Sequence, residues 1–166
     1  GIELYRDKPE AEWDIREDGR IIGVTEELSA QDIYELGKEM EPFAIASGTR
    51  MGHVHLSVKN SRESSAFYQE SLNLEDKFTI PHASWIASGD YHHHLAVNEW
   101  GGKNLAPREH RMIGLAYYAV EVENKEELLK VFAQSQTSKV LTQWLSSAEF
   151  SVTDKDGIVT RVRVGN

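Results

Sequence analysis

Four histidines stand in two short alternating runs: His53 and His55 among Val54, Leu56 and Val58, and His92 and His94 ahead of Leu95 and Val97. Successive side chains of an extended strand point to opposite faces, so residues two apart share one. Val54, Leu56 and Val58 then form an apolar face, with His53 and His55 on the other. In Tyr91–Trp100, Leu95 and Val97 take the apolar face and His92, His94, Ala96 and Asn98 the polar one. If the two strands are neighbours, four imidazoles meet on one surface. Imidazole is a nitrogen ligand for zinc, iron, manganese and nickel, and two histidines with one carboxylate leave positions open for a substrate or dioxygen. The plainer alternative is that these histidines solvate a polar cleft or bond to neighbours.

The third ligand is harder to find. In the second half of the chain, Tyr117 occupies the place where a ligand from a matching strand would sit, and the last strand offers Arg161. Glu121 shares the parity of Tyr117, and Glu149 and Glu99 are weaker candidates. There is no cysteine, so any metal must be held by nitrogen and oxygen, and disulfides and thiolate nucleophiles are excluded. No serine–histidine–acid order, Walker loop or dinucleotide-binding glycine loop occurs.

The elements that position these residues recur in order. A strand over Met51–Val58 leads to a helix over Arg62–Leu72, capped by Asn60 or Ser61, whose Ala66, Phe67 and Leu72 supply an apolar stripe. Strands over Lys77–Ile80, Ser84–Ala87 and Tyr91–Trp100 follow, divided by Pro81 and by Ser88-Gly89-Asp90. The sequence then repeats the pattern: strand Ile113–Val122, helix Lys125–Gln134, strands Val140–Trp144, Glu149–Thr153 and Ile158–Val164. Two βαβββ units are therefore expected, each too small to close a core alone. The fold class is α+β: paired βαβββ units forming a curved mixed sheet around a cup, with polar strand residues collecting in the cup and helices outside it. Phe67, Tyr68 and Trp85 are expected in the core, while Trp100 and Trp144 fit either the core or the mouth of the cup.

Ahead of this lies simpler material. Gly1–Tyr5 is strand-like and stopped by Pro9, Ile21–Val24 reads as a short strand, and Ser29–Met40 as a weak helix apolar at Ile33, Leu36 and Met40. The organisation expected is a terminal strand within residues 1–8, a connector over 9–48 and the main domain over 49–166. The opening strand looks like the end of a preceding domain, so the chain is expected to be a portion of a longer protein.

Composition bounds the partners. Lysine and arginine total 18 against 27 acids, giving −9, and no long basic block appears, which argues against nucleic acid and against an anionic membrane surface. No run approaches the roughly 20 apolar residues that span a bilayer. With 40% hydrophobic residues the chain reads as an ordinary globular protein, and the absence of cysteine fits a reducing cytoplasm.

The run Met51-Gly52-His53-Val54-His55-Leu56-Ser57-Val58, followed by Ser65-Ala66-Phe67-Tyr68 and Leu72, resembles the opening of vicinal-oxygen-chelate domains, the superfamily of glyoxalases, bleomycin resistance proteins and extradiol dioxygenases. Gly89–Asn98 resembles the corresponding run of two-domain ring-cleaving dioxygenases of the catechol 2,3-dioxygenase type, and the likeness extends through Val24-Thr25-Glu26. Gly1–Asp7 looks like the terminal strand of such a protein's first domain, with Glu3 at the place of its glutamate ligand.

The resemblance implies a first-strand histidine ligand, here His53, and in the glyoxalase pattern a fourth-strand ligand, here His94. The extradiol pattern wants histidine in the fifth strand and glutamate in the eighth, where this chain has Tyr117 and Arg161, and a guanidinium does not give up its proton to bind a cation. The implied metal set is His53 and His94, with Glu3 as a carboxylate lent by a second copy. His55, His92, Asn98, Tyr117 and Arg161 line the cup. The implied cofactor is Fe(II) or Mn(II), with zinc or nickel as alternatives, and the implied substrate a small aromatic or oxygen-rich molecule. The chain would be the C-terminal domain of a metalloprotein, inactive or weakly active alone. A strand-exchanged homodimer is expected from the exposed edge at residues 1–7. The rival readings are a non-catalytic small-molecule binding module of the bleomycin-resistance type and a structural half.

Overall fold

A computed structural model describes residues 1–166 except 24–26, 38–43, 103, 107, 108, 110, 139 and 166, and gives no side-chain description of Leu36. The chain divides into two compact units, Gly1–Gly52 and His53–Asn166.

The first unit holds little regular structure. Strands β1 (Asp14–Ile15) and β2 (Ile21–Ile22) form an antiparallel ribbon, closed by a turn in which Gly19 takes a positive φ of 82°. Helix α1 (Ala30–Leu36) starts where expected, at Ser29, whose side chain accepts the Asp32 N–H. It stops at Gly37; Val24 and Met40, the expected ends of the strand and the helix, lie outside the described residues, as does Val24-Thr25-Glu26. Gly1–Tyr5 is not a strand: its residues are exposed and pair with no ladder. A β-prone run becomes a strand only when its N–H and C=O groups find partners.

The second unit contains both expected repeats. The first comprises β3 (Val54–Ser57), α2 (Ser61–Leu72), β4 (Glu75–Ile80), β5 (Ala83–Ala87) and β6 (Leu95–Asn98). The second comprises β7 (Tyr118–Val122), α3 (Lys125–Thr137), β8 (Leu141–Ser146), β9 (Glu149–Thr153) and β10 (Val159–Val164). Strand order is β3-β6-β5-β4 in one sheet and β7-β10-β9-β8 in the other, each with one parallel pair at the first-strand edge and antiparallel pairs elsewhere. The two sheets are topological copies.

Helix starts follow from sequence. Asn60 is extended and its side chain accepts the N–H groups of Arg62 and Glu63, while Asn124 accepts that of Glu127. Asn73 ends α2 in the left-handed region at φ 55°, a conformation asparagine tolerates. Each helix lies on the apolar face of its own sheet, and α2 and α3 also lie against each other. Leu56, Ile86 and Val97 from one sheet, Tyr68 and Leu128 from the helices, and Phe150, Val152 and Val162 from the other sheet form one buried cluster. Merging two short apolar faces gives a core that neither repeat has alone.

Two strands are shorter than expected. The strand predicted from Ile113 begins only at Tyr118, because Ile113 is fully exposed and Gly114 takes a positive φ of 150°. The strand predicted from Tyr91 begins only at Leu95. Its partner β5 reaches no further along it than Ile86 opposite Leu95, so Tyr91, His92 and His93 have no ladder to join.

Candidate functional site

The parallel pairing of β3 with β6 sets Val54 opposite Leu95 and His55 opposite Ala96, and the Val54 N–H donates to the His94 carbonyl at 2.9 Å. That bond holds the segment carrying three histidines beside the start of β3. The ring of His53 lies 4.3 Å from that of His93, 4.8 Å from His55 and 5.8 Å from His92, between centroids. Nδ1 of His93 is 2.7 Å from Nδ1 of His92, and its Nε2 is 3.1 Å from Nε2 of His55. Ligand atoms of His53, His92 and His93 lie within 4.8 Å of one another. Burial first, then the neighbouring imidazoles, pushes His93 down to about 2, so its ring is neutral. A neutral imidazole has one N–H and one lone pair, so His93 donates to one neighbour and accepts from the other.

His53, His55 and His92, expected on this face, are thus brought together, and His93 joins them. Strict alternation places His93 on the opposite face. It reaches the cluster because residues 91–93 form bends and not a strand, so their side chains do not alternate. The adjacency of three histidines was the signal available, and the assumed strand hid it. His94 is engaged elsewhere: its Nδ1 accepts the Ser88 N–H at 3.2 Å and its ring lies 5.1 Å from that of Tyr91. Burial, then His92 and Lys77, lowers its pKa. Asn98 is buried at the far end of β6, where its side-chain oxygen accepts the Trp100 N–H. Glu3 lies in the first unit, exposed, in a segment that forms no strand.

Trp85 departs from the expected core. It stands opposite Ala96, which stands opposite His55, while Phe78 stands opposite Trp85 on the other side. Residues directly opposite share a face, so one row runs Phe78–Trp85–Ala96–His55, with the two aromatic rings 5.4 Å apart. Phe67 and Tyr68 do pack in the core. Trp144 packs against Phe132 and Phe150, on the core side, and Trp100 is exposed.

The second sheet's polar face carries different chemistry. The Arg161 guanidinium carbon sits 3.8 Å above the centre of the Tyr117 ring, and its Nη1 is 3.6 Å from Glu149. The remaining carboxylate candidates are also engaged. Glu121 accepts two bonds from Arg163, at 2.7 and 3.1 Å. Glu99 accepts from the Ser61 N–H and hydroxyl, and that N–H bond is the main reason its pKa is lowered. A cavity of 490 Å³ opens where the N-terminal end of α2 meets the β9–β10 turn, lined by Lys59, Glu63, Phe67, Glu99 and Asp156 among others, and none of the clustered histidines lines it. Its Asp156 already accepts from the Lys59 N–H and the Ser64 hydroxyl.

Residues 50–162, which span both repeats, match the family model of the Glyoxalase/Bleomycin resistance protein/Dioxygenase superfamily. The chain belongs to that superfamily. A catechol-2,3-dioxygenase of Bacillus subtilis (strain 168) is 31% identical over 130 residues, which cover 77% of this chain and 46% of that protein. The chain therefore spans about half the length of this curated relative. Solved structures of the superfamily share the fold at lower identity. A glyoxalase/dioxygenase from Nostoc punctiforme superposes with a TM-score of 0.58 at 16% identity, covering 75% of this chain and 97% of its own. The fosfomycin resistance protein FosX from Listeria monocytogenes, solved with Mn(II) and sulfate, gives 0.53 at 16% identity, covering 74% and 93%. The α+β class and the paired βαβββ units are those of the glyoxalase fold. Among the described residues no helix is long and apolar enough to cross a membrane.

Proposed function

We propose that this superfamily member is the C-terminal domain of a ring-cleaving dioxygenase or glyoxalase-like metalloprotein, and that its own copy of the family's ligand set is degenerate. The observation carrying the second part is the Arg161–Tyr117 stack, which occupies both positions where the resemblance calls for second-unit ligands. A cation held over a ring and beside Glu149 repels a metal ion and offers it no lone pair. His53 remains as a ligand, and Glu3 from a second copy is the carboxylate that a homodimer would add. The reading places the protein in the cytoplasm with a divalent ion, Fe(II) or Mn(II) or alternatively zinc or nickel, and a small aromatic or oxygen-rich substrate.

The test is turnover. The purified chain, loaded with Fe(II) and supplied with catechol and dioxygen, is expected to give no ring-opened yellow product. Steady formation of that product would overturn the degenerate-site reading. A second reading, a non-catalytic binding module, is favoured by the Phe78–Trp85 row leading to His55. It predicts saturable quenching of Trp85 fluorescence by catechol that Trp85→Phe removes, and unsaturable quenching rejects it.

A further inference from the structure

The three nitrogen donors that lie together, His53, His92 and His93, all belong to the first repeat. We propose that the first βαβββ unit by itself holds a three-nitrogen site for a borderline divalent ion of the zinc, copper, nickel or cobalt class, with His53, His92 and His93 as ligands and His55 as a positioning residue. This deepens the metalloprotein reading and rests on it, but replaces His94 with His92, expected only to line the cup, and with His93, which strict alternation places on the other face.

The geometry is close to what one ion demands. Metal–imidazole bonds of about 2.0–2.1 Å put two ligand nitrogens of a tetrahedral site about 3.4 Å apart. The three ligand atoms lie within 4.8 Å, so small ring rotations close the site. His92 Nδ1 and His93 Nδ1, at 2.7 Å, are already nearer than that, with a hydrogen between them. An ion entering there takes a lone pair from each nitrogen, and the hydrogen between the rings moves to the far nitrogen of the ring that carried it. With its Nδ1 on the ion, neutral His93 carries its hydrogen on Nε2, which lies 3.1 Å from His55 Nε2 and can donate to it. A ligating histidine whose second N–H is held by an acceptor is fixed in tautomer and orientation, which is the role left to His55.

The scaffold is built before any ion arrives. His53 immediately precedes β3, and the Val54-to-His94 backbone bond ties the two ligand-bearing segments together. A donor set of imidazoles without a carboxylate suits zinc, copper and nickel, whereas magnesium, calcium and manganese prefer oxygen. Three protein ligands leave at least one position for water or a substrate atom.

The experiment uses the full chain, stripped with a chelator and titrated with Zn(II), Co(II) and Mn(II). Ion content, the visible absorption of bound Co(II) and the imidazole ¹⁵N shifts on adding Zn(II) are the readouts. One Zn(II) per chain is expected, shifting the ring nitrogens of His53, His92 and His93 and not those of His94 or His82. His55→Ala should weaken Zn(II) by about 10–100-fold, the usual cost of an outer partner, and His53→Ala, His92→Ala and His93→Gln each by more. His94→Ala should change little, and Mn(II) should bind at least about tenfold more weakly than Zn(II). If His94→Ala costs as much as His92→Ala, the three adjacent histidines act as a loose chelating run and the proposal is overturned. Should His93→Gln misfold, the ¹⁵N shifts of the unaltered chain decide, and an unmoved His93 ring rejects the assignment. Absence of any bound ion removes this site and leaves the degenerate-domain reading to the turnover test, whereas binding through His94 and not His93 removes this site in favour of the pair that the resemblance implies.

Discussion

At the entry to β3 the first repeat places His53, and at the matching entry to β7 the second places Tyr117. The last strand of the first repeat is approached through His92 and His93, while β10 of the second carries Arg161 across from Ser151 and Ala119. One face gathers imidazole nitrogens, the other a guanidinium held by a ring and a carboxylate. Strand order, helix position and core are the same in both. Topology thus sets where the side chain ahead of each first strand stands, and residue type decides whether the place offers a lone pair or a ring stacked under a guanidinium.

The largest test asks whether the two repeats are one folding unit. Phe150→Ala, in the second sheet, should destabilise by about 3–5 kcal/mol, the usual cost of emptying a fully buried phenylalanine site. Because Phe150 belongs to a cluster shared with Leu56 and Val97, fluorescence from Trp85 and from Trp144 should report one coincident denaturation shift. Separate transitions would break the comparison into two independent halves.

Asp154 is the next largest. Its carboxylate, in the second repeat, accepts the Tyr68 hydroxyl of α2 at 2.6 Å and the N–H groups of Asp156 and Ile158. Asp154→Ala strands a buried hydroxyl and should cost about 1.5–3 kcal/mol in urea denaturation, the range for bonds to a charged group. Burial raises this carboxyl above its ordinary 3.8, so the folded state binds its proton more tightly than the unfolded state does. Its contribution to stability is therefore largest below that ordinary value and declines as pH rises through the raised one. Asp154→Asn should lack this decline, visible as a pH-dependent difference between the two denaturation curves.

The helix caps offer a smaller comparison. Asn60 accepts two N–H groups and Asn124 one. Both alanine substitutions should fall within about 0.5–2 kcal/mol, with Asn60→Ala the more costly in thermal unfolding. The smallest effect is expected at Arg161, whose side chain is partly exposed. Arg161→Ala should lower stability by about 0.5–1 kcal/mol, as for an exposed cation–π pair. It should leave Zn(II) affinity at the histidines unchanged, so a change in calorimetric titration would show that the two faces are not independent.

Much of the fold was legible along the chain. The alternation in Val54–Val58, the cap expected at Asn60 or Ser61 and the repeated order of elements all act through neighbours a few residues apart, where local rules hold. Gly1–Tyr5 misled because strand formation depends on a partner that no local pattern supplies. Tyr91–His93 misled for the same reason: the residues alternate as a strand would, but the ladder with β5 stops before it reaches them. Trp85, large and apolar, was assigned to the core by type, whereas its register against Ala96 and His55 puts it on the polar face.

The sequence by itself determined the donor chemistry: nitrogen and oxygen only, four histidines in two runs, and Tyr117 and Arg161 where second-unit ligands would stand. Only the tertiary structure decided which imidazoles meet. His93 enters and His94 turns to Ser88 because the chain bends before β6, and that bend follows from the length of a neighbouring strand. His92 and His94 bond to neighbours within six residues, whereas His93 meets His55 from another strand, a contact that no short stretch of sequence encodes.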